Sequence, residues 1–131
     1  MSVLAAPALS IAEAAEATGL TTHTLRYYER DGLLLDAVER ATSGHRRYTE
    51  ADLGWIRLVT KLRATGMPIR EIRQYAELVR DGDGNEGARL ALLRAHRDRV
   101  RLQLAEVATH LEAIENKIAV YEGTSDTCTS A

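Results

Sequence analysis

Leu20-Thr-Thr-His-Thr-Leu-Arg-Tyr-Tyr-Glu-Arg-Asp-Gly32 is the stretch whose reading decides the fold. Thr21 supplies an N-cap oxygen, no Pro or Gly interrupts the nine residues that follow, and Gly32 stands where a helix usually ends. Leu25 and Tyr28, three apart, can face a core, while Thr22, His23 and Arg26 project together from the other side. Such a short, polar face with one guanidinium suits a helix that enters a DNA major groove. Side chains near its N-terminus then meet base edges, and Arg26 reaches a guanine or a phosphate. Taken alone, the stretch equally describes an ordinary amphipathic surface helix.

What precedes it favours DNA. Ser10-Ile-Ala-Glu13 has the spacing of a capping box, which predicts a first helix from about Ile11 to Ala17. Ile11, Ala14 and Ala15 mark its buried side, and Gly19 closes it. A short helix, a Gly turn and a second helix two residues later is helix-turn-helix spacing. Further on, short extended pieces joined by a Ser43-Gly44 turn predict a small β-hairpin wing. Arg46 and Arg47 are neighbours, so in a strand they point to opposite faces, one of them free for phosphate.

Thr49-Glu-Ala-Asp52 is a second capping box and opens a helix from about Glu50 to Thr65. Leu53, Ile56, Val59 or Thr60, and Leu62 or Arg63 form its buried stripe, with Trp55 as core or inter-helix wedge. After Gly66, Pro68 at N1 starts another helix, whose apolar positions Ile69, Ile72, Tyr75 or Ala76, and Val79 run to Arg80. Lys61 and Arg63 near the junction of these two helices can reach phosphate or stay solvated.

The charge balance, 17 basic against 19 acidic residues, argues against a protein that holds DNA by bulk charge. Its distribution is uneven. Between Arg57 and Arg80 six basic residues (Arg57, Lys61, Arg63, Arg70, Arg73, Arg80) face two acidic ones (Glu71, Glu77), compatible with a DNA-facing side. The single Cys128 excludes an intrachain disulfide and points to a reducing cytoplasm. No signal peptide is expected at Met1 to Leu9, read as a loose arm, and no apolar run approaches the roughly 20 residues of a membrane span.

Asp81 to Gly87 breaks the chain with three glycines in seven residues and reads as a linker. Its Asp-Gly-Asp-Gly-Asn opening is that of a calcium loop, but Leu92 stands where the twelfth-position Glu belongs. From about Glu86 to Glu122, Leu90, Leu93, Arg97, Val100, Leu104, Val107, Leu111, Ile114, Ile118 and Tyr121 alternate steps of three and four. Nine of those ten positions are apolar, so this is a coiled-coil seam that needs a partner helix. Arg97, the misfit, either fixes register or reaches Asp98 or Glu106 of that partner. His96 and His110 lie about 21 Å apart along one helix and, without a third ligand, make a poor metal site. No metal and no cofactor is expected. The polar end, 123–131, reads as a disordered tail.

Leu25-Arg-Tyr-Tyr-Glu-Arg-Asp-Gly-Leu-Leu34 and Gly44-His-Arg-Arg-Tyr-Thr-Glu-Ala-Asp-Leu53, in that order, resemble the MerR family of transcriptional regulators. The resemblance covers roughly Ser10 to Glu122, more by character than by residue in the last third. It implies a mainly α fold: a winged helix-turn-helix domain over 10–80, a linker over 81–87, and a dimerisation helix over 88–122. That helix would form an antiparallel coiled coil in a homodimer. It also implies a sequence-specific regulator on double-stranded promoter DNA with inverted-repeat half-sites, acting on RNA polymerase indirectly by altering DNA twist and bend. Many relatives carry a Pro shortly after the Gly-Leu-Leu; Leu35-Asp36-Ala37 stands here and leaves the wing's path open. The sensing cysteines of some relatives have no counterpart at the matching places. Together, placement and resemblance assign DNA contact to Thr22, His23, Arg26, Tyr27, Arg46, Arg47, Lys61 and Arg63. An enzyme is not expected, since no nucleophile, base and oxyanion donor assemble from the spacing. The alternative is a coiled-coil scaffold whose helix-turn-helix binds protein, separable by salt-dependent, sequence-selective duplex binding.

Overall fold

Ser10, Thr21 and Thr49 open three helices by the same chemistry: each hydroxyl accepts the backbone N–H three residues on, at 3.1 to 3.2 Å. Glu13 and Asp52 return the bond to the backbone N–H of Ser10 and Thr49, completing two capping boxes. In the computed structural model these helices are α1 (Ile11–Thr18), α2 (Thr22–Arg30) and α3 (Glu50–Ala64), followed by α4 (Ile69–Arg80) and α5 (Glu86–Ser130). Between α2 and α3, β1 (Glu39–Arg40) and β2 (Arg46–Arg47) pair antiparallel, Glu39 opposite Arg47 and Arg40 opposite Arg46. The structure describes residues 8–35, 39–40 and 46–130, with backbone alone at 39, 40, 46 and 125–130. The expected Ser43-Gly44 turn therefore lies outside the described residues, as do residues 1–7 of the expected arm and the side chain of Cys128.

Two units make up the chain, Met1–Leu93 and Arg94–Ala131. In the first, each helix buries the face that its three- and four-residue spacing dictates. Ala14 and Ala15 of α1, Leu25 and Tyr28 of α2, and Leu53, Ile56, Val59 and Leu62 of α3 join Leu33, Leu34, Tyr48, Met67 and Ile72 in one cluster. Burying a side chain of this size contributes about 1.5 to 3 kcal/mol, which is what holds α2 on its scaffold. Val59 and Leu62 take the inward positions on α3, leaving Thr60 half-buried, where its hydroxyl meets the Tyr28 hydroxyl at 3.0 Å.

Several boundaries differ from expectation. Leu9 is not part of a loose arm: it pairs with Tyr48 through two backbone hydrogen bonds, 2.7 and 2.8 Å, and packs on the core. Pro68 takes the cap position, one residue before α4, where its carbonyl accepts from Glu71 and Ile72 N–H. The linker is shorter, because α5 already begins at Glu86. Gly82 and Gly84, at φ 87° and 100°, let the chain turn, and Asn85 Nδ2 donates to Leu78 O at 2.8 Å. Arg89 closes the loop by donating to Asn85 Oδ1 at 2.7 Å and to the Gly82 carbonyl. Glu86 accepts from Gly84 N–H at 3.0 Å; its own backbone N–H and that of Gly84 hold its carboxyl below the usual value.

The helical backbone of the second unit runs on to Ser130, past Gly123, where a polar tail was expected. Gly123 does not end the helix. A single glycine costs about 1 kcal/mol in a helix interior, and an established helix gains a hydrogen bond for each residue it adds. Thr124 Oγ1 bonds back to Val120 O at 3.0 Å.

Candidate nucleic-acid interface

α2 turns its outward face to solvent because its inward face is fully used. Leu25 is 0% and Tyr28 1% exposed, and Thr21 caps the N-terminus. His23 and Arg26 stand exposed and Thr22 half-exposed beside them, so the three residues expected to meet bases do share one accessible side. Among the described residues nothing bonds to the Arg26 guanidinium, which leaves all five of its donors available to an incoming acceptor.

Tyr27 is half-buried and flanked by cations. The guanidinium carbon of Arg30 lies 5.6 Å from its ring centre and that of Arg63 5.2 Å, with Arg63 also 5.5 Å from Tyr28. Arg63, reaching from α3, thus sets a positive charge against α2 through ring contacts. On the wing, Arg47 is exposed and donates to Ala8 O at 3.4 Å, while the Arg46 side chain lies outside the described residues.

The basic run is largely engaged within the first unit. Arg57 donates to Ala17 O at 3.3 Å, Arg73 to Asp31 O at 2.7 Å, and Arg80 to the carbonyls of Gly32, Leu34 and Leu35. Lys61 and Arg70 are exposed, with no bonding partner among the described residues. Of the two α3 candidates, Lys61 is therefore the unengaged cation and Arg63 the stacked one. The roles of Arg73 and Arg80 were missed by sequence reasoning: their seven-residue spacing puts them on one face of α4, but nothing in a sequence says that backbone carbonyls wait there.

In the second unit the seam stands open. Leu104, Val107, Leu111, Ile114, Ile118 and Tyr121 are 49 to 68% exposed in the single chain. Val100 of the same unit is half-buried; Leu90 and Leu93 belong to the first unit, where Leu90 is 45% exposed and Leu93 packs on the core. Arg97 Nε lies 3.1 Å from Asp98 Oδ1 of its own helix. Among the described residues no three His, Cys, Asp or Glu side chains gather as a metal site, and no helix is long and apolar enough to cross a membrane.

Residues 9–78, spanning α1 to nearly the end of α4, match the MerR HTH family regulatory proteins, and residues 53–117 match the family's MerR, DNA binding region. The chain belongs to the MerR family of DNA-binding transcriptional regulators. Within that family it is 39% identical, over 85% of its length and 82% of the relative's, to an uncharacterized HTH-type transcriptional regulator of Haemophilus influenzae. Two solved MerR structures are similar throughout. One is HiNmlR, a MerR family regulator lacking the sensor domain, bound to promoter DNA: TM-score 0.79, 37% identity, 88% of this chain and 90% of that one. The other is a MerR family transcriptional regulator of Listeria monocytogenes: TM-score 0.83, 33% identity, 87% and 86% coverage.

Proposed function

We propose that this MerR-family chain acts as a homodimer on double-stranded promoter DNA in the cytoplasm. Each α2 enters the major groove of one half-site of an inverted repeat. The observation that carries this reading is the exposed face of Thr22, His23 and Arg26 on a capped helix whose other face is locked in the core. HiNmlR, bound to promoter DNA, supports the choice of ligand. Arg47 of the wing and Lys61 of α3 flank α2 as backbone contacts, and neutralising phosphates makes binding fall steeply with salt.

Charge along the second unit supports an antiparallel pair. Arg94, Arg97, Arg99 and Arg101 outnumber Asp98 in its first part, and Glu106, Glu112, Glu115 and Glu122 outnumber Lys117 in the rest. Running two copies in opposite directions sets the basic part of each beside the acidic part of the other. A parallel pair would set like beside like. The open row from Leu104 to Tyr121 then becomes the seam, and its two-fold axis matches the two-fold symmetry of an inverted repeat.

On such a promoter the dimer acts on RNA polymerase indirectly, by changing DNA twist and bend. Backbone contacts from both subunits offset a deformation energy of several kcal/mol. The test is a pair of promoters, native and with one or two base pairs deleted between the polymerase-recognition elements. The deletion is expected to make transcription largely independent of the protein, or to leave only repression. Full activation by bound protein on the shortened promoter contradicts a distortion mechanism.

A further inference from the structure

Five consecutive carbonyls, Asp31 to Leu35, lie where α2 ends and the chain turns toward β1, and each accepts a side-chain donor from α3 or α4. Arg73 Nε donates to Asp31 O at 2.7 Å and Trp55 Nε1 to Leu33 O at 2.6 Å. Arg80 takes the other three: one terminal nitrogen donates to Gly32 O at 2.9 Å and Leu34 O at 2.6 Å, and Nε to Leu35 O at 2.7 Å. We propose that Arg80, with Arg73 beside it, is a positioning residue that sets the recognition helix and the strand leading from it at one fixed relation, and is not a phosphate contact. The inference rests on the reading that α2 and the wing share one DNA duplex.

α2 ends at Arg30, and the carbonyls of Tyr27, Tyr28 and Glu29 are already taken by the backbone N–H groups of Asp31, Leu33 and Gly32; those of 31–35 lie beyond the helix, where exposed backbone is ordinarily satisfied by water. Here each carbonyl from 31 to 35 accepts a side-chain donor instead, which restrains that segment from swinging. The ligand is suited to a guanidinium: its donors are fixed in a planar fork, so one side chain can hold three carbonyls that diverge. A lysine ammonium on a flexible stem is a point charge with no such fork. The location is favourable too, because the C-terminal end of α2 carries the negative end of its dipole, and Arg73 also lies 3.8 Å from the Asp31 carboxylate. Arg73 and Arg80 are seven residues apart on α4, hence on the same face, and they act as two pins through one plate. Leu35, the last carbonyl held, is four residues before Glu39 of β1. A change in how α4 lies therefore acts on the segment by which the chain leaves α2.

Charge and geometry predict different outcomes, so the proposal is separable from a phosphate role. The experiment uses the full-length protein and a labelled duplex that the wild type selects from a random library, with Kd measured over a range of salt. R80K and R80Q are each expected to weaken binding about tenfold, a modest loss of 1.4 kcal/mol, while the slope of log K against log salt stays that of wild type. R26A serves as the contact control. If R80K binds like wild type, or if R80Q flattens the slope by about 0.9, Arg80 is a charge on phosphate and the proposal is overturned. Should R80Q fail to fold, R80K decides. Hydrogen exchange in the free protein gives an answer without DNA: amides of 31–35 are expected to exchange at least tenfold faster in R80K, with α1 unchanged. Unchanged exchange at 31–35 overturns the brace, whereas a wild type that selects no duplex overturns only the DNA reading.

Discussion

The indole of Trp55 and the phenol ring of Tyr75 lie 5.5 Å apart and 15° from parallel, joining α3 to α4. The same indole donates its N–H to Leu33 O, so one side chain ties both helices to the segment that leaves α2. Trp55→Phe keeps a ring on Tyr75 but removes that donor together with one ring of the indole. It is expected to cost about 1 to 3 kcal/mol, the penalty for an acceptor left without a partner. Urea unfolding of both proteins measures it; an unchanged midpoint contradicts the assignment.

Arg26→Ala removes the guanidinium that stands beside Thr22 and His23 on the exposed side of α2. Operator affinity is expected to fall by about 1 to 3 kcal/mol with relaxed preference at one position per half-site, as for a bidentate base contact. Lys61→Ala should instead weaken all sequences alike and flatten the salt slope by roughly one unit. Binding-site selection with each variant separates the two patterns.

Leu111 stands 50% exposed in the single chain although it is a large apolar residue in the middle of the seam. Leu111→Asp buries a carboxylate if the seam is closed by a second copy, and the dimer is expected to be lost, with operator binding lost along with it. Sedimentation reads the mass directly. Wild type sedimenting as a monomer at micromolar concentration removes the homodimer from the account.

Glu13 links helix capping to pH. The Ser10 N–H, first, and the Ser10 hydroxyl bond system hold its carboxyl below the usual value, with Arg47 adding to the effect. Because the folded value is the lower one, its stabilising effect is present above the unfolded value and is lost as pH falls through the folded one. Wild type should therefore melt above Glu13→Ala at neutral pH, with the gap closing in acid. A gap independent of pH places the effect elsewhere.

Of the candidate interface, α2 was the most legible part. Thr21, Leu25 and Tyr28 state a cap and a buried face within eight residues, and local hydrogen bonding and packing make good on both. Lys61 and Arg63 show the limit. They are equivalent as charges two positions apart, yet one is exposed without a bonding partner among the described residues and the other stacks over Tyr27 and Tyr28. The end of the second unit misled for a different reason. Small polar residues after Gly123 lack a buried face, which suggested a tail, but a helix already running needs no such face to add the next turn.

By itself, the amino-acid sequence determined where α1, α2 and α3 start, which faces they bury, and that the long helix carries an apolar row every three and four residues. Those properties follow from caps and periodicity, which act within a turn or two of the chain. Only the tertiary structure decided what the arginines of α3 and α4 do. Arg57, Arg73 and Arg80 lie 40 to 48 residues from the carbonyls they hold, and a donor's partner over that distance is chosen by how the helices pack. A sequence records that a guanidinium is present. Whether its donors face phosphate or backbone depends on which surface the core has turned toward it.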